Sequence, residues 1–168
     1  APAVINAANA ASYPVSGTCS TGAGNVSVSV GTVNGTTACT AGTFTTNLNV
    51  AGLADAPVVV VGASQTNVSG TGSDSKNTSK DVAVAAPVIS TPAAAAVVAS
   101  NMTLTGTGEV GATVTVREGM AVVCSGVVNG MGNWSCASTL GVGSHTVNAT
   151  AVDSAGNSSA VSADRTFS

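Results

Sequence analysis

Apolar and polar residues alternate with period two through much of this chain. Val26-Ser27-Val28-Ser29-Val30, Leu104-Thr105-Gly106-Thr107, Thr113-Val114-Thr115-Val116 and His145-Thr146-Val147-Asn148-Ala149 all follow that rhythm. Successive side chains of a strand point to opposite faces, so the pattern marks strands with one buried face and one wet face. Between these runs stand Asn34-Gly35, Asn129-Gly130 and Gly156-Asn157, pairs that supply positive φ for turns. Helical spacing is nearly absent. Residues 93–99 are alanine-rich and follow Pro92, which suits a helix start. A helix of about two turns is too short to hold without strong packing, so an extended strand and connector is expected there. Short strands with turns at regular intervals predict an antiparallel sandwich with Greek-key connections.

The second half of the chain restates the first. Ala1-Pro2-Ala3-Val4-Ile5 returns as Ala86-Pro87-Val88-Ile89, Ser16-Gly17-Thr18 as Thr105-Gly106-Thr107, and Gly22-Ala23 as Gly111-Ala112. Val26 and Val28 return as Val114 and Val116, Cys39 as Cys124, and Phe44 as Trp134. A period of roughly 80–90 residues is too long for a solenoid repeat and fits one small sandwich. Two domains are expected, residues 1–85 and 86–168, with residues 81–85 as the last strand of the first. A linker this short, carrying Pro87, favours a stiff end-to-end arrangement.

Composition sharpens the picture in three ways. Charged residues make up 7% of the chain, against roughly a quarter in an ordinary domain, so hydroxyl and amide side chains dress the wet strand faces. The net charge of −3 and the lack of any Lys/Arg run exclude a nucleic-acid footprint. The longest apolar stretches, residues 56–61 and 93–99, fall well short of a membrane span. Four cysteines divide evenly between the repeats, none in a Cys-x-x-Cys pair, and one histidine is too little for zinc. They are expected to pair as Cys19–Cys39 and Cys124–Cys136 and to place the chain in an oxidising compartment; four buried free thiols are the alternative.

The run Thr105-Gly106-Thr107-Gly108-Glu109-Val110-Gly111-Ala112-Thr113-Val114-Thr115-Val116, then Gly132-Asn133-Trp134-Ser135, Gly143-Ser144-His145-Thr146-Val147 and Asp153-Ser154-Ala155-Gly156-Asn157-Ser158-Ser159, follows one pattern. It resembles the bacterial immunoglobulin-like domains repeated in tandem in large bacterial surface adhesins. The resemblance covers nearly all of residues 86–168. The first repeat matches through Phe44 to Asp55, after which either Thr66-Asn67 or Asp74-Ser75 stands at the Asp153 position. Many members of that family lack the cysteines. The resemblance implies an all-β fold of two tandem immunoglobulin-like sandwiches, end to end. It also implies a bacterial cell-surface or secreted location and neighbouring repeats as partners.

Catalytic chemistry is thinly represented. His145 lies on an alternating strand and reads as a solvated outward residue. No serine sits in a Gly-x-Ser-x-Gly elbow and no carboxylate pair stands out as an acid/base couple. Gly106-x-Gly108-x-x-Gly111 matches a dinucleotide fingerprint by letters but lies between strands with no helix to follow. Phe44 and Trp134 read as core, leaving Tyr13 and Phe167 as the aromatics available for stacking on a glycan. Lys76 and Lys80 are expected in a polar loop, which argues against a lysine–Asn/Asp isopeptide link. Eight Asn-x-Ser/Thr sequons, at Asn25, Asn34, Asn67, Asn77, Asn101, Asn133, Asn148 and Asn157, follow from a Ser/Thr-rich chain without selection for glycans.

The carboxylates are the remaining candidates. Loop tracing on the sandwich brings Asp55, Asp81, Glu109 and Asp153 toward the domain junction, where hard oxygen donors suit Ca²⁺. The resembled adhesins often stiffen such junctions with calcium. The contrary reading is that these acids keep loops soluble in a charge-poor chain. The expected function is a non-catalytic structural or adhesive module, a stiff spacer or part of an adhesive fibre, with structural Ca²⁺ as the one candidate cofactor. Two alternatives stand beside it: a module binding a receptor or glycan through its loops, and an accessory domain pair of a secreted hydrolase.

Overall fold

The computed structural model describes residues 1–168. The chain divides into two compact units, Ala1–Val82 and Ala83–Ser168, slightly ahead of the boundary expected from sequence.

Unit 1 contains β1 (Val4–Ile5), a 3-10 turn (Ala10–Ser12), β2 (Tyr13–Thr18), β3 (Val26–Val30), β4 (Val33–Thr37), β5 (Thr43–Leu48), β6 (Ala56–Asn67) and β7 (Gly70–Lys80). Five strands form one sheet in the order β1-β7-β6-β3-β4, and β2 and β5 form a two-stranded sheet. All neighbours are antiparallel except β1, which runs parallel to β7 with Val4 opposite Ser79 and Ile5 opposite Lys80. The alternation in β3 turns Val26, Val28 and Val30 into the core, where they meet Ile5, Tyr13, Val15, Phe44, Val50 and Val61.

Unit 2 contains β8 (Val88–Thr91), β9 (Thr103–Thr107), β10 (Thr113–Glu118), β11 (Ala121–Val127), β12 (Asn133–Ala137), β13 (His145–Val152) and β14 (Arg165–Phe167). Its sheets run β11-β10-β13-β14 and β12-β9-β8. The inward faces of β10 and β13 contribute Val114, Val116, Val147, Ala149 and Ala151, which pack on Leu104, Trp134 and Phe167. Two facing antiparallel sheets of this topology make an immunoglobulin-like sandwich.

The structure departs from the sequence reading in four places. Residues 81–87 lie outside any strand. Val82 packs partly against the first core and Val84 partly against the second, and that packing accounts for their alternation. The last strand of unit 1 is instead β7, so Lys76 and Lys80 are strand residues and not loop residues. Most of β7 is exposed on both faces; it is held by its hairpin with β6, turned at Asn67, whose side chain accepts the Ser69 amide at 2.8 Å. That turn joins the last two strands, so residue 67, and not Asp74, stands where Asp153 begins the corresponding loop of unit 2.

Third, residues 93–99 form no strand. They turn and then track β14, with Ala95 donating to the Thr166 carbonyl at 2.8 Å, Ser168 to Ala96 at 2.9 Å and Val98 to Ser168 at 2.7 Å. Fourth, the repeat fails at the first strand. Despite their matched sequences, β1 lies beside the last strand of its unit, whereas β8 pairs antiparallel with β9 in the opposite sheet.

The two disulfides join sheet to sheet. Cys19, just after β2, bonds Cys39, just after β4; Cys124 on β11 bonds Cys136 on β12. The loops they close span 20 and 12 residues, each worth about 3 kcal/mol in the chain-entropy model.

Candidate metal centre

In unit 2, Glu109 lies in the loop between β9 and β10, and Asp153 begins the loop after β13. These loops lie side by side, and a carboxylate oxygen of each comes within 4.8 Å of the other. Asp153 is already part of a local staple. Its Oδ1 accepts the Asn157 amide at 2.8 Å and its Oδ2 the Asn157 side-chain amide at 2.7 Å. Asn157 O in turn accepts the Asp153 amide at 3.1 Å. Gly156, at φ +86°, makes the tight return possible. Asp153 is buried yet fully engaged, which a charge in such a site requires. Each carboxylate oxygen keeps a further lone pair, so the staple does not close it to a cation.

Within unit 1, Asp81 follows β7 directly and its amide donates to the Ile5 carbonyl at 2.9 Å. Asp55 has a different partner from the one expected. Lys80, 2% exposed, places its ammonium 3.0 Å from Asp55 Oδ1, and Asp55 Oδ2 accepts the Val82 amide at 3.4 Å. The Lys80 hydrogen bond holds the Asp55 carboxyl below its ordinary range. A buried lysine beside an aspartate is the pairing an isopeptide link would need, contrary to the loop position expected. Here Asp55 is held as the carboxylate, which is a poor acyl acceptor. The contact is an ion pair.

The other sites resolve against catalysis and stacking. His145 is not a solvated residue. Its Nδ1 lies 3.0 Å from Glu118 Oε1, its ring packs on Phe167 with centroids 5.9 Å apart, and Nε2 is buried without a partner. No nucleophile accompanies it in a triad-like arrangement. Tyr13 and Phe167 are fully buried, and Phe44 and Trp134 are buried too, so every Phe, Tyr and Trp ring of the chain belongs to a core. The Tyr13 hydroxyl donates to the Pro2 carbonyl at 2.8 Å and Trp134 Nε1 to Thr107 at 3.2 Å. Gly106, Gly108 and Gly111 span the end of β9 and the turn into β10, where no helix presents its N-terminus to a phosphate.

Phe44 and Trp134 share a feature that spacing alone does not reveal. Each lies directly across its sheet from a glycine, Phe44 from Gly17 and Trp134 from Gly106. A Cβ on Gly17 would sit 2.7 Å from the Phe44 ring, and one on Gly106 2.7 Å from the Trp134 ring. The missing side chain is the space into which the ring folds.

The fold defines an immunoglobulin-like sandwich protein with buried aromatics, two inter-sheet disulfides and acidic loops. Residues 86–164, nearly all of unit 2, match the family model described as the bacterial Ig domain. No curated protein matches the chain in sequence. Among solved structures, an I-band fragment of titin overlays 98% of the chain and 60% of its own at 13% identity and TM-score 0.56. A mutated three-immunoglobulin titin fragment covers 98% and 61% at 14% identity and TM-score 0.54. A biofilm-associated protein domain covers 99% of the chain at 18% identity and TM-score 0.43. The chain spans 28% of that last protein's length. The fold assignment rests on the first two. No helix is long and apolar enough to cross a membrane.

Proposed function

We propose that this chain is a non-catalytic structural and adhesive module of a bacterial cell-surface or secreted protein, working as a stiff spacer among neighbouring immunoglobulin-like repeats. The observation that carries this reading is the bacterial Ig domain at residues 86–164, joined to a second disulfide-bonded sandwich by a very short connector. Burial of all aromatic rings weighs against glycan stacking, and the engagement of His145 by Glu118 weighs against acid/base catalysis. Disulfides inside each unit fit an oxidising location outside the cytoplasm.

Structural Ca²⁺ is part of the proposal. Glu109 and Asp153 supply hard oxygens at suitable separation within unit 2, and Asp81, just ahead of unit 2 in sequence, is the further donor proposed. Calcium takes 6–8 oxygens, so backbone carbonyls and water complete the shell. Asp55, held by Lys80, is left out of this donor set. Calorimetric titration should show millimolar or tighter Ca²⁺ binding, weakened at least fivefold by Glu109→Gln and by Asp81→Asn. Absence of heat at millimolar Ca²⁺ would remove calcium from the reading and leave the spacer role standing. A glycan array and a host-cell binding assay test the spacer role itself: reproducible, saturable binding by the fragment would overturn it.

A further inference from the structure

Two Asn-Gly pairs stand in the chain, Asn34-Gly35 and Asn129-Gly130, and the fold treats them in opposite ways. Asn129 opens the turn from β11 to β12. Its backbone carbonyl accepts the Gly132 amide at 2.9 Å, and its own amide donates to the Asn133 carbonyl at 2.8 Å. Its side-chain Oδ1 accepts two more backbone amides, Met131 at 2.9 Å and Asn133 at 3.1 Å. The ring closed by Oδ1 and the Met131 amide includes the Gly130 nitrogen, so the side-chain carbonyl is folded back toward the peptide that follows it. The Gly130 N–H makes no hydrogen bond, and both residues are exposed.

Asn34 is held differently. It lies within β4, where Gly35 stands opposite Val28 in the ladder with β3. Its side chain donates to the Thr32 carbonyl at 3.3 Å, and no amide donates to its Oδ1. Asn6 shares one property with Asn129, since its Oδ1 accepts the Ala8 and Asn9 amides at 3.1 and 3.2 Å. The residue after it is Ala7, however, whose methyl group crowds the intervening nitrogen. Only Asn129 combines a polarised side-chain carbonyl with an unshielded, unbonded amide next to it.

We propose that Asn129 is a site of self-modification, at which the Gly130 backbone nitrogen displaces the side-chain amide. The nitrogen loses its proton to hydroxide and bonds to Cγ. The bond from Cγ to Nδ2 then breaks, and Nδ2 takes a proton from water and leaves as ammonia. One water molecule opens the resulting succinimide ring to aspartate or isoaspartate. In the tetrahedral stage negative charge collects on Oδ1, where the Met131 and Asn133 amides already point, so the turn acts as an oxyanion hole. Nδ2 makes no hydrogen bond that would hold the leaving group. The product carries one more negative charge, in a loop bonded at both ends to the loop of Glu109. Gly108 donates to the Gly132 carbonyl and Gly111 to the Val128 carbonyl, each at 3.0 Å.

The test is incubation of the intact, oxidised chain at mildly alkaline pH in water enriched in oxygen-18, which labels each new carboxyl group. Proteolysis and fragment mass spectrometry then locate the label. Conversion at Asn129 should be about tenfold or more faster than at Asn34 or Asn6 in the same molecules. It should also be faster than in a capped peptide of residues 127–133, which has the same glycine but no fixed turn. A Cβ on Gly130 meets nothing within 4 Å, so Gly130→Ala should keep the fold while slowing conversion about tenfold or more. Conversion in the folded chain no faster than in the peptide would show that the turn shelters the amide, and would overturn the proposal. Equal rates at Asn129 and Asn34, or an unchanged rate in Gly130→Ala, would overturn it too.

Discussion

The two sandwiches use their first strand in different ways. In unit 2 the entering segment covers two edges in turn. First β8 lies against β9, and residues 95–98 then cross to lie along β14. In unit 1, β1 along β7 matches the second half of that arrangement. The consequence is visible at one equivalent position. Gly106 is enclosed between the Trp134 ring and the Val88 carbonyl, whereas Gly17 meets only the Phe44 ring and is open on its other side. A shared cross-strand pair, glycine opposite an aromatic, is thus a sealed joint in one unit and an open one in the other. Sequence similarity at a core position does not imply equal burial; the neighbouring strand decides that.

This contrast can be attacked by substitution. Gly106→Ala should be the most damaging change, at about 3 kcal/mol or more, because its methyl collides with both a ring and a backbone carbonyl that cannot move independently. Trp134 is the only tryptophan, so denaturant unfolding followed by its fluorescence reports unit 2 alone. Removing a disulfide comes next. Cys19→Ser with Cys39→Ser, or Cys124→Ser with Cys136→Ser, should each cost about 3 kcal/mol in its own unit, with the other unit's melting unchanged. Thiol titration of the denatured, unreduced wild type should find no free sulfhydryl; transfer of destabilisation between units would show that they are not separate.

Asp55→Ala should cost unit 1 about 2 kcal/mol. That lies between an exposed pair and a fully buried one, because Lys80 is buried while the Asp55 side chain is 44% exposed. Lys80→Met, which removes the buried charge altogether, should be near neutral or stabilising. Because the folded Asp55 value is depressed, the pair's contribution is complete above the ordinary carboxylate range. It is lost as pH falls below that range through the folded value. Wild-type unit 1 should therefore lose more stability between pH 5 and strong acid than the Asp55→Ala protein does. The smallest expected effect is Gly17→Ala, about 1 kcal/mol, since only the Phe44 ring must give way and no backbone atom is met. Equal losses for Gly17→Ala and Gly106→Ala would break the comparison.

How much of the molecule is legible in its sequence depends on whether an element has a buried face. The alternating valines of β3 and β10 stand out because each strand has one apolar side. Strand β7, Gly-Thr-Gly-Ser-Asp-Ser-Lys-Asn-Thr-Ser-Lys, shows no such period because most of it is solvated on both faces, and only its pairing with β6 makes it a strand. Lys80 looks like a loop residue for the same reason: burial of a lysine is set by a partner, Asp55, that stands 25 positions away. The neighbouring loops of Glu109 and Asp153 can be traced from strand order, but the Asp153–Asn157 staple that occupies the carboxylate cannot. Nor can the choice of partner strand for β1, since Val4-Ile5 and Val88-Ile89 are nearly identical and a strand of either kind fits either edge.

The parallel pairing of β1 with β7 has a mechanical side. The chain enters unit 1 through β1 and leaves it directly after β7, with Asp81 still bonded to Ile5. Tension applied to the two ends of unit 1 therefore slides these strands along each other and loads their hydrogen bonds together, in shear. Antiparallel terminal strands would unzip one bond at a time. Residues 95–98, which follow β8, repeat the geometry against β14 in unit 2, so each sandwich holds a clamp of this kind on its last segment. Behind each clamp, a disulfide limits how far the chain can extend if it yields.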